Sequence, residues 1–430
     1  MRQSATYHIA DITIFKKKLL HWAAQYNQAA CFSGESTLDN GLYMSCDMIL
    51  GVDAISELSV DTDCFHSLKK YSDQEKDWLF GYLSYDLKNE IEDLKSENTD
   101  CLRFPLLYFF QPRWVFQIQH NEIKIHFPKE TPRKEMQKLF KEIMQMTPAT
   151  SVTTAIGIKQ RISKVDYQHA FESLFQNIAR GDIYEVNYCQ EYYAKDVKIS
   201  PLQTYENLYA LSQAPFSAYF RNNDQYLMCA SPERFAKKEG QKIISQPIKG
   251  TRPRSLDSTK DQALKLELAS CQKEKSENVM IVDLVRNDLS KTAKKESVNV
   301  QELFGVYSFK QVHQMISSIT SELKDNTHWV DALKSLFPMG SMTGAPKIRA
   351  MQLIEENEVF KRGVYSGSVG YVTPDEDFDF NVVIRSIMYN AKQKYVSFAV
   401  GSAITAKATL EQEYNECEVK AKAMLEVLNA

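Results

Sequence analysis

Within Ser245-Gln246-Pro247-Ile248-Lys249-Gly250-Thr251-Arg252-Pro253-Arg254, the sequence presents an amine, Lys249, on a turn braced by Pro247 and freed by Gly250. A lysine attacks carbon only when desolvation or a neighbouring cation lowers its pKa, and Arg252 and Arg254 lie close by. Ser231-Pro232-Glu233 sets a carboxyl group on a second turn, and a glutamic acid whose pKa is raised by burial can donate a proton. Glu274 and Glu277 are three residues apart, as are Glu413 and Glu416, in segments of helical character. Each pair therefore shares one helix face, where mutual repulsion is relieved by a divalent cation. Magnesium suits such oxygen donors because it keeps several waters and commonly binds a substrate anion as well. Taken singly these are ordinary features, since most lysines and glutamates are solvated surface charges.

Two further segments offer anion contacts. Gly340-Ser341-Met342-Thr343-Gly344-Ala345-Pro346-Lys347 precedes the helical pattern Ile348 to Glu355, so small residues and a proline lead into a helix whose free N–H groups can face an anion. The spacing does not match a Walker A loop. Arg385 ends the apolar strand-like run that starts at Phe380, where a guanidinium fork can bind a carboxylate in bidentate fashion.

In this order, together with Ser276-Glu277-Asn278 through Asp288-Leu289, the segments resemble the chorismate-using enzymes over about residues 155 to 425. That family includes anthranilate synthase, isochorismate and salicylate synthases, and aminodeoxychorismate synthase component I. Lysine in Pro-Ile-Lys-Gly-Thr is characteristic of the last of these, where anthranilate synthases carry alanine. The resemblance implies two large facing antiparallel sheets with helices outside, an α+β class. It implies Lys249 as a nucleophile at ring carbon C2, Glu233 as general acid at the C4 hydroxyl, and Ser341 and Thr343 lining the chorismate pocket. Tyr365 and Arg385 would hold the enolpyruvyl carboxylate, with Gly401 also at the substrate. Glu274, Glu277, Glu413 and Glu416 would hold magnesium against the ring carboxylate. The implied reaction aminates chorismate to 4-amino-4-deoxychorismate, a transferase-type step toward p-aminobenzoate and folate. Ammonia would come from a separate glutamine amidotransferase subunit, because no Cys-His-Glu glutaminase segment is evident.

Four positions in three segments depart from the family pattern. Glu185 stands where amine-forming members usually carry glutamine and salicylate synthases a lysine base. Gln314 replaces a histidine, with His313 displaced by one, and Ser402-Ala403 stand in a loop that is glycine-richer in relatives, so their side chains are expected to crowd the substrate carboxylate. Two alternatives stay open: an anthranilate synthase component I, which Lys249 opposes, and a degenerate chorismate-binding subunit without activity.

The elements that must position these groups are readable in outline. At 430 residues with 43% hydrophobic content, the chain can bury a substantial core. Lysine plus arginine number 52 against 55 acidic residues, a net charge of −3 that argues against nucleic acid as a partner. Eight cysteines are scattered without a C-x-x-C pair, and neither an apolar leader nor an apolar run of membrane-spanning length is present. A cytoplasmic protein is expected. Residues 1–150 form an N-terminal subdomain and 151–430 the catalytic region, expected to pack as one body, with the polar run Met146 to Ser151 as boundary. Phe15 to Trp22 reads as helix, Leu106 to Phe110 and Val115 to Ile118 as strands. Asp166 to Ala179 reads as a helix closed by Arg180-Gly181-Asp182, with strands following at Ile183–Tyr188, Tyr226–Cys229, Ser366–Tyr371 and Tyr395–Val400.

Overall fold

A computed structural model describes residues 2–34, 46–149, 155–310 and 312–429. Within these lie twenty strands and eleven α-helices, an α+β architecture in which antiparallel ladders join into one hydrogen-bonded network. The network has two arms that part at a pair of long strands, Met48–Val60 and Leu107–Gln119. The first arm runs from Met48–Val60 through Gln28–Ser33, Phe216–Asn222, Gln225–Ser231, Ser386–Asn390 and Tyr395–Thr405 to Glu185–Lys195. A second arm leaves Leu107–Gln119 through Leu79–Leu83, Ser368–Val372, Phe378–Val382, Arg234–Glu239 and Lys242–Gln246 to Val312–Glu322. Val312–Glu322 also carries Asn299–Ser308 and Ile248–Pro253. Strands from before residue 150 thus pair directly with strands from after residue 155. The helix Arg133–Gln145 leads into the polar run at 146–151, of which Thr150 and Ser151 lie outside the described residues.

The arms face each other across a shared core, as the resemblance implies. Tyr82 packs on Phe220 with ring centroids 5.5 Å apart, and Phe32 on Tyr371 at 5.8 Å. A second core lies between the other face of the first arm and the helices Ile12–Ala23, Lys164–Arg180 and Leu410–Asn429. Strand alternation sorts the residues: Ala218 and Phe220 enter the inner core, Tyr219 the outer one, and Leu227 and Cys229 are likewise split from Met228. Strands covered on both faces read as continuous apolar runs, and each large side chain so buried contributes roughly 1.5–3 kcal/mol.

Local signals explain the boundaries. Ser163 and Asp166 form a reciprocal capping box at the start of Lys164–Arg180, and Gly181 closes that helix at φ 83°. The two runs expected at 106–110 and 115–118 are one strand, Leu107–Gln119. Pro112 is tolerated inside it because the partner strand shifts register between Ala54 and Ser56, opposite the missing N–H. All eight cysteines are free thiols, six of them buried.

Candidate active site

A cavity of about 440 Å³ opens where the outer strands of the two arms meet the helices Gln272–Ser290 and Leu410–Asn429. Ten of the eleven residues singled out above line it: Lys249, Glu233, Ser341, Tyr365, Arg385, Gly401 and the four glutamates. Thr343 does not. The turn Gly340–Met342 points Ser341 at the cavity, whereas the Thr343 hydroxyl donates to the Met339 and Gly340 carbonyls and is fully buried. Nor does the start of the following helix, Lys347–Asn357, face the cavity. Lys347 is turned to Asp288, at 2.5 Å, and to the Pro338 carbonyl. Gly344 lies against the strand Glu185–Lys195, where a Cβ would come within 2.1 Å of the Glu185 carbonyl, so this close approach requires glycine.

Lys249 sits in a bulged strand rather than a turn. Ile248–Pro253 slips register against Val312–Glu322 between Ile248 and Thr251, and Gly250 at φ 90° absorbs the irregularity. A side chain at Gly250 would also press on Glu274, 3.0 Å from the Cβ position. The expected lowering of the Lys249 pKa is overturned. Its ammonium, 11% exposed, donates to Glu185 Oε1 at 2.5 Å, while Arg252 is engaged with Glu267 and Glu274 and Arg254 with Asp261. Burial alone would lower this pKa, but Glu185 and then Glu277 outweigh it and hold the amine protonated.

Glu233 occupies the two-residue link between Gln225–Ser231 and Arg234–Glu239. Its N–H donates to Ser231 Oγ, its carbonyl accepts from Val382, and its carboxyl group accepts the Ser341 hydroxyl at 2.7 Å. Burial pushes its pKa up to about 7, against the opposing pulls of Ser341 and Lys249. A carboxyl group so placed is a proton donor near neutrality.

The glutamate pairs face one another from two helices, with Glu274 and Glu413 in first turns, where the helix dipole favours an anion. Burial and the charges of Glu185 and Glu274 raise the Glu277 pKa to about 7, although Lys249 and Lys273 oppose them. Glu413 is raised by burial and by Glu416, whereas Glu416 is lowered because Lys420, 2.6 Å away, outweighs the effect of burial. Lys273 Nζ is 3.8 Å from both Glu277 Oε1 and Glu413 Oε1, an ammonium between the two carboxylates. Among the described residues no three acidic, Cys or His groups converge tightly enough to hold a metal alone. The donor set nevertheless fits a hard cation: the ligands are carboxylate oxygens, Glu277 Oε1 is buried without a hydrogen-bond partner among the described residues, and magnesium needs only one or two carboxylates beside water and substrate.

Arg385, at φ 52° between Phe378–Val382 and Ser386–Asn390, lines the cavity without a carboxylate in ion-pair contact among the described residues. Tyr365, 2% exposed, stands beside it with its hydroxyl toward Cys189 Sγ. Of the departing positions, Gln314 faces the cavity, and His313, on the opposite strand face, pairs with Asp261. Ser402 lies behind the cavity wall, its hydroxyl bonded to Tyr167 and Glu413, so Ala403 alone of that pair lines the cavity, and the expected crowding by two side chains does not arise. Sequence reasoning missed Lys420, whose ammonium reaches Glu416 and donates to the Gly401 carbonyl at 2.8 Å. Its spacing four residues after Glu416 could have marked it. Also missed was Arg362, buried against Glu358, which donates to the Met342 and Asn187 carbonyls and ties the Gly340–Met342 turn to the strand Glu185–Lys195.

Residues 43–426 match the family described as chorismate binding enzyme. The chain belongs to that family. It is 32% identical over 386 residues to aminodeoxychorismate synthase component 1 of Bacillus subtilis, covering 85% of this chain and 81% of the relative. Against anthranilate synthase component 1 of Thermus thermophilus it is 32% identical over 358 residues, covering 81% and 77%. The solved anthranilate synthase component I from Streptococcus pneumoniae superposes with a TM-score of 0.79 at 25% identity, covering 88% of this chain and 91% of that one. No helix among the described residues is long and apolar enough to cross a membrane.

Proposed function

We propose that this chain is the chorismate-aminating component of an aminodeoxychorismate synthase, converting chorismate and ammonia to 4-amino-4-deoxychorismate. The observation that carries the reading is the amine of Lys249 in the same cavity as the neutral-range acid Glu233. In this reading Lys249, freed of a proton, attacks ring carbon C2 while both conjugated ring double bonds shift and the C4 hydroxyl departs. Glu233 supplies the proton that turns that hydroxyl into water. Ammonia then adds at C4, both double bonds shift back and Lys249 is expelled. Covalent catalysis thus splits one displacement into two. Arg385 and Tyr365 hold the enolpyruvyl carboxylate, the former as a buried cation. Glu274, Glu277, Glu413 and Glu416 would hold magnesium, which when bound neutralises and orients the ring carboxylate. Ammonia would reach the cavity from a glutamine amidotransferase subunit, and the product would serve p-aminobenzoate and folate synthesis in the cytoplasm.

Likeness to anthranilate synthases keeps one rival in view. That reaction has no use for an amine at Lys249, and it releases pyruvate. Incubating the purified chain with chorismate, magnesium and an ammonium salt and separating the products decides between them. 4-Amino-4-deoxychorismate with its enolpyruvyl group retained supports the proposal; anthranilate and stoichiometric pyruvate refute it.

A further inference from the structure

The partner of Lys249 has no role in the reaction as written so far. Glu185 is the first residue of the strand Glu185–Lys195, its backbone held between Ala345 on one side and Thr405 on the other. Its side chain is 1% exposed. One carboxylate oxygen lies 2.5 Å from Lys249 Nζ, and the other is buried with no hydrogen-bond partner among the described residues.

Lys249 is faced by Glu185 from this strand, by Glu277 from the helix Gln272–Ser290 and by Glu416 from the helix Leu410–Asn429, and its charge acts in turn on Glu233. Among the described residues Glu185 alone makes ion-pair contact with Nζ. An ammonium has no lone pair, so the nucleophile assigned above has to lose a proton before it can attack.

We infer that Glu185 is a catalytic residue that accepts this proton from Lys249 and returns it at the end of the cycle. The inference rests on the proposed nucleophilic role of Lys249. Proton transfer leaves a neutral amine and a neutral Glu185. The amine lone pair forms the N–C2 bond, the C1–C2 double bond moves to C1–C6, the C5–C6 double bond moves to C4–C5, and the C4–O bond breaks with the Glu233 proton leaving in water. Ammonia then bonds to C4, both double bonds return, and the N–C2 bond breaks to give back neutral Lys249. The new C4 ammonium gives its proton to Glu233, and Glu185 reprotonates Lys249. Every group ends as it began, with chorismate and ammonia converted to product and water. Among the described residues no donor reaches the second oxygen of Glu185.

Two measurements test this. Competitive acetylation with acetic anhydride, without chorismate, reports the fraction of Lys249 that is neutral at each pH in wild type, Glu185→Gln and Glu185→Asp. Rapid-quench mass spectrometry with chorismate and magnesium then gives the rate of adduct formation on Lys249 over the same range. Glu185→Gln should form adduct about 100-fold more slowly near pH 7, the typical loss on removing a general base. Its rate should recover as pH rises, in step with the neutral fraction found by acetylation, and wild type should lack that ascending limb. Glu185→Asp should fall between the two. Adduct formation by Glu185→Gln at the wild-type rate near pH 7 overturns the assignment. So does a loss that persists where acetylation shows Lys249 to be neutral, which would mark Glu185 as structural. Absence of any wild-type adduct instead removes the nucleophile reading on which the inference stands, and acetylation would still show whether Glu185 holds the Lys249 proton.

Discussion

Replacing Glu233 by glutamine should make the protein more stable and inactive at once. The carboxyl group is 5% exposed and its pKa climbs from an ordinary 4.5 to about 7, mainly through burial. That climb corresponds to about 3 kcal/mol of preference for the neutral form in the folded chain. Because the folded pKa lies above the unfolded one, the folded state binds more protons between pH 4.5 and 7, and stability falls as pH rises through that window. Glutamine is uncharged, nearly isosteric and still accepts the Ser341 hydroxyl, so Glu233→Gln lacks this slope. Urea unfolding at steps from pH 4 to pH 9 should show variant and wild type alike at the acid end and the variant ahead by about 3 kcal/mol at the alkaline end. Turnover of the variant should be lost throughout, while wild-type turnover declines as pH rises through about 7 and the acid deprotonates. Stability curves that stay parallel from pH 4 to 9 would show that Glu233 is not held neutral by burial, and the general-acid assignment would lose its physical basis.

Glu277→Gln and Glu413→Gln should each abolish most turnover at ordinary magnesium without unfolding, measured by circular dichroism and by activity against magnesium concentration; full activity in EDTA-treated wild type would refute the metal assignment. Arg385→Met removes a cavity-lining guanidinium with no ion-pair partner among the described residues, so the KM for chorismate should rise about 10- to 100-fold, the worth of a charge-assisted contact, with kcat less affected. Ammonium salts should support turnover by this chain alone, and glutamine only after an amidotransferase subunit is added. Glutamine-dependent product from the rigorously purified chain would contradict the two-subunit reading.

What was legible in the sequence was what local spacing controls. Glu274 with Glu277 and Glu413 with Glu416 follow helical period, and both helices form where the pattern places them. The strands were legible from apolar runs, but their division into two arms was not, because it depends on the long strands Met48–Val60 and Leu107–Gln119 pairing far from their sequence neighbours. Lys249 was found, yet its protonation was misjudged. Arg252 and Arg254 are adjacent in sequence and turned elsewhere, whereas Glu185, sixty-four positions away, sets the charge. Ser341 and Thr343 separated because the turn Gly340–Met342 has no strand or helix period to fix side-chain direction. At Gln314 and His313 strand alternation did carry the answer, since Val312 and Gln314 share the cavity face.

The proposed reaction passes through a carbon–nitrogen bond between Lys249 and the chorismate ring. Wild-type protein incubated with chorismate and magnesium in the absence of ammonia should accumulate this adduct, and peptide mass spectrometry should place the added mass on the peptide containing Lys249. Adding ammonium should discharge it to 4-amino-4-deoxychorismate, and Lys249→Ala should form none. An unmodified Lys249 peptide in enzyme that is turning over chorismate, with anthranilate and pyruvate appearing as chorismate disappears, would contradict the account.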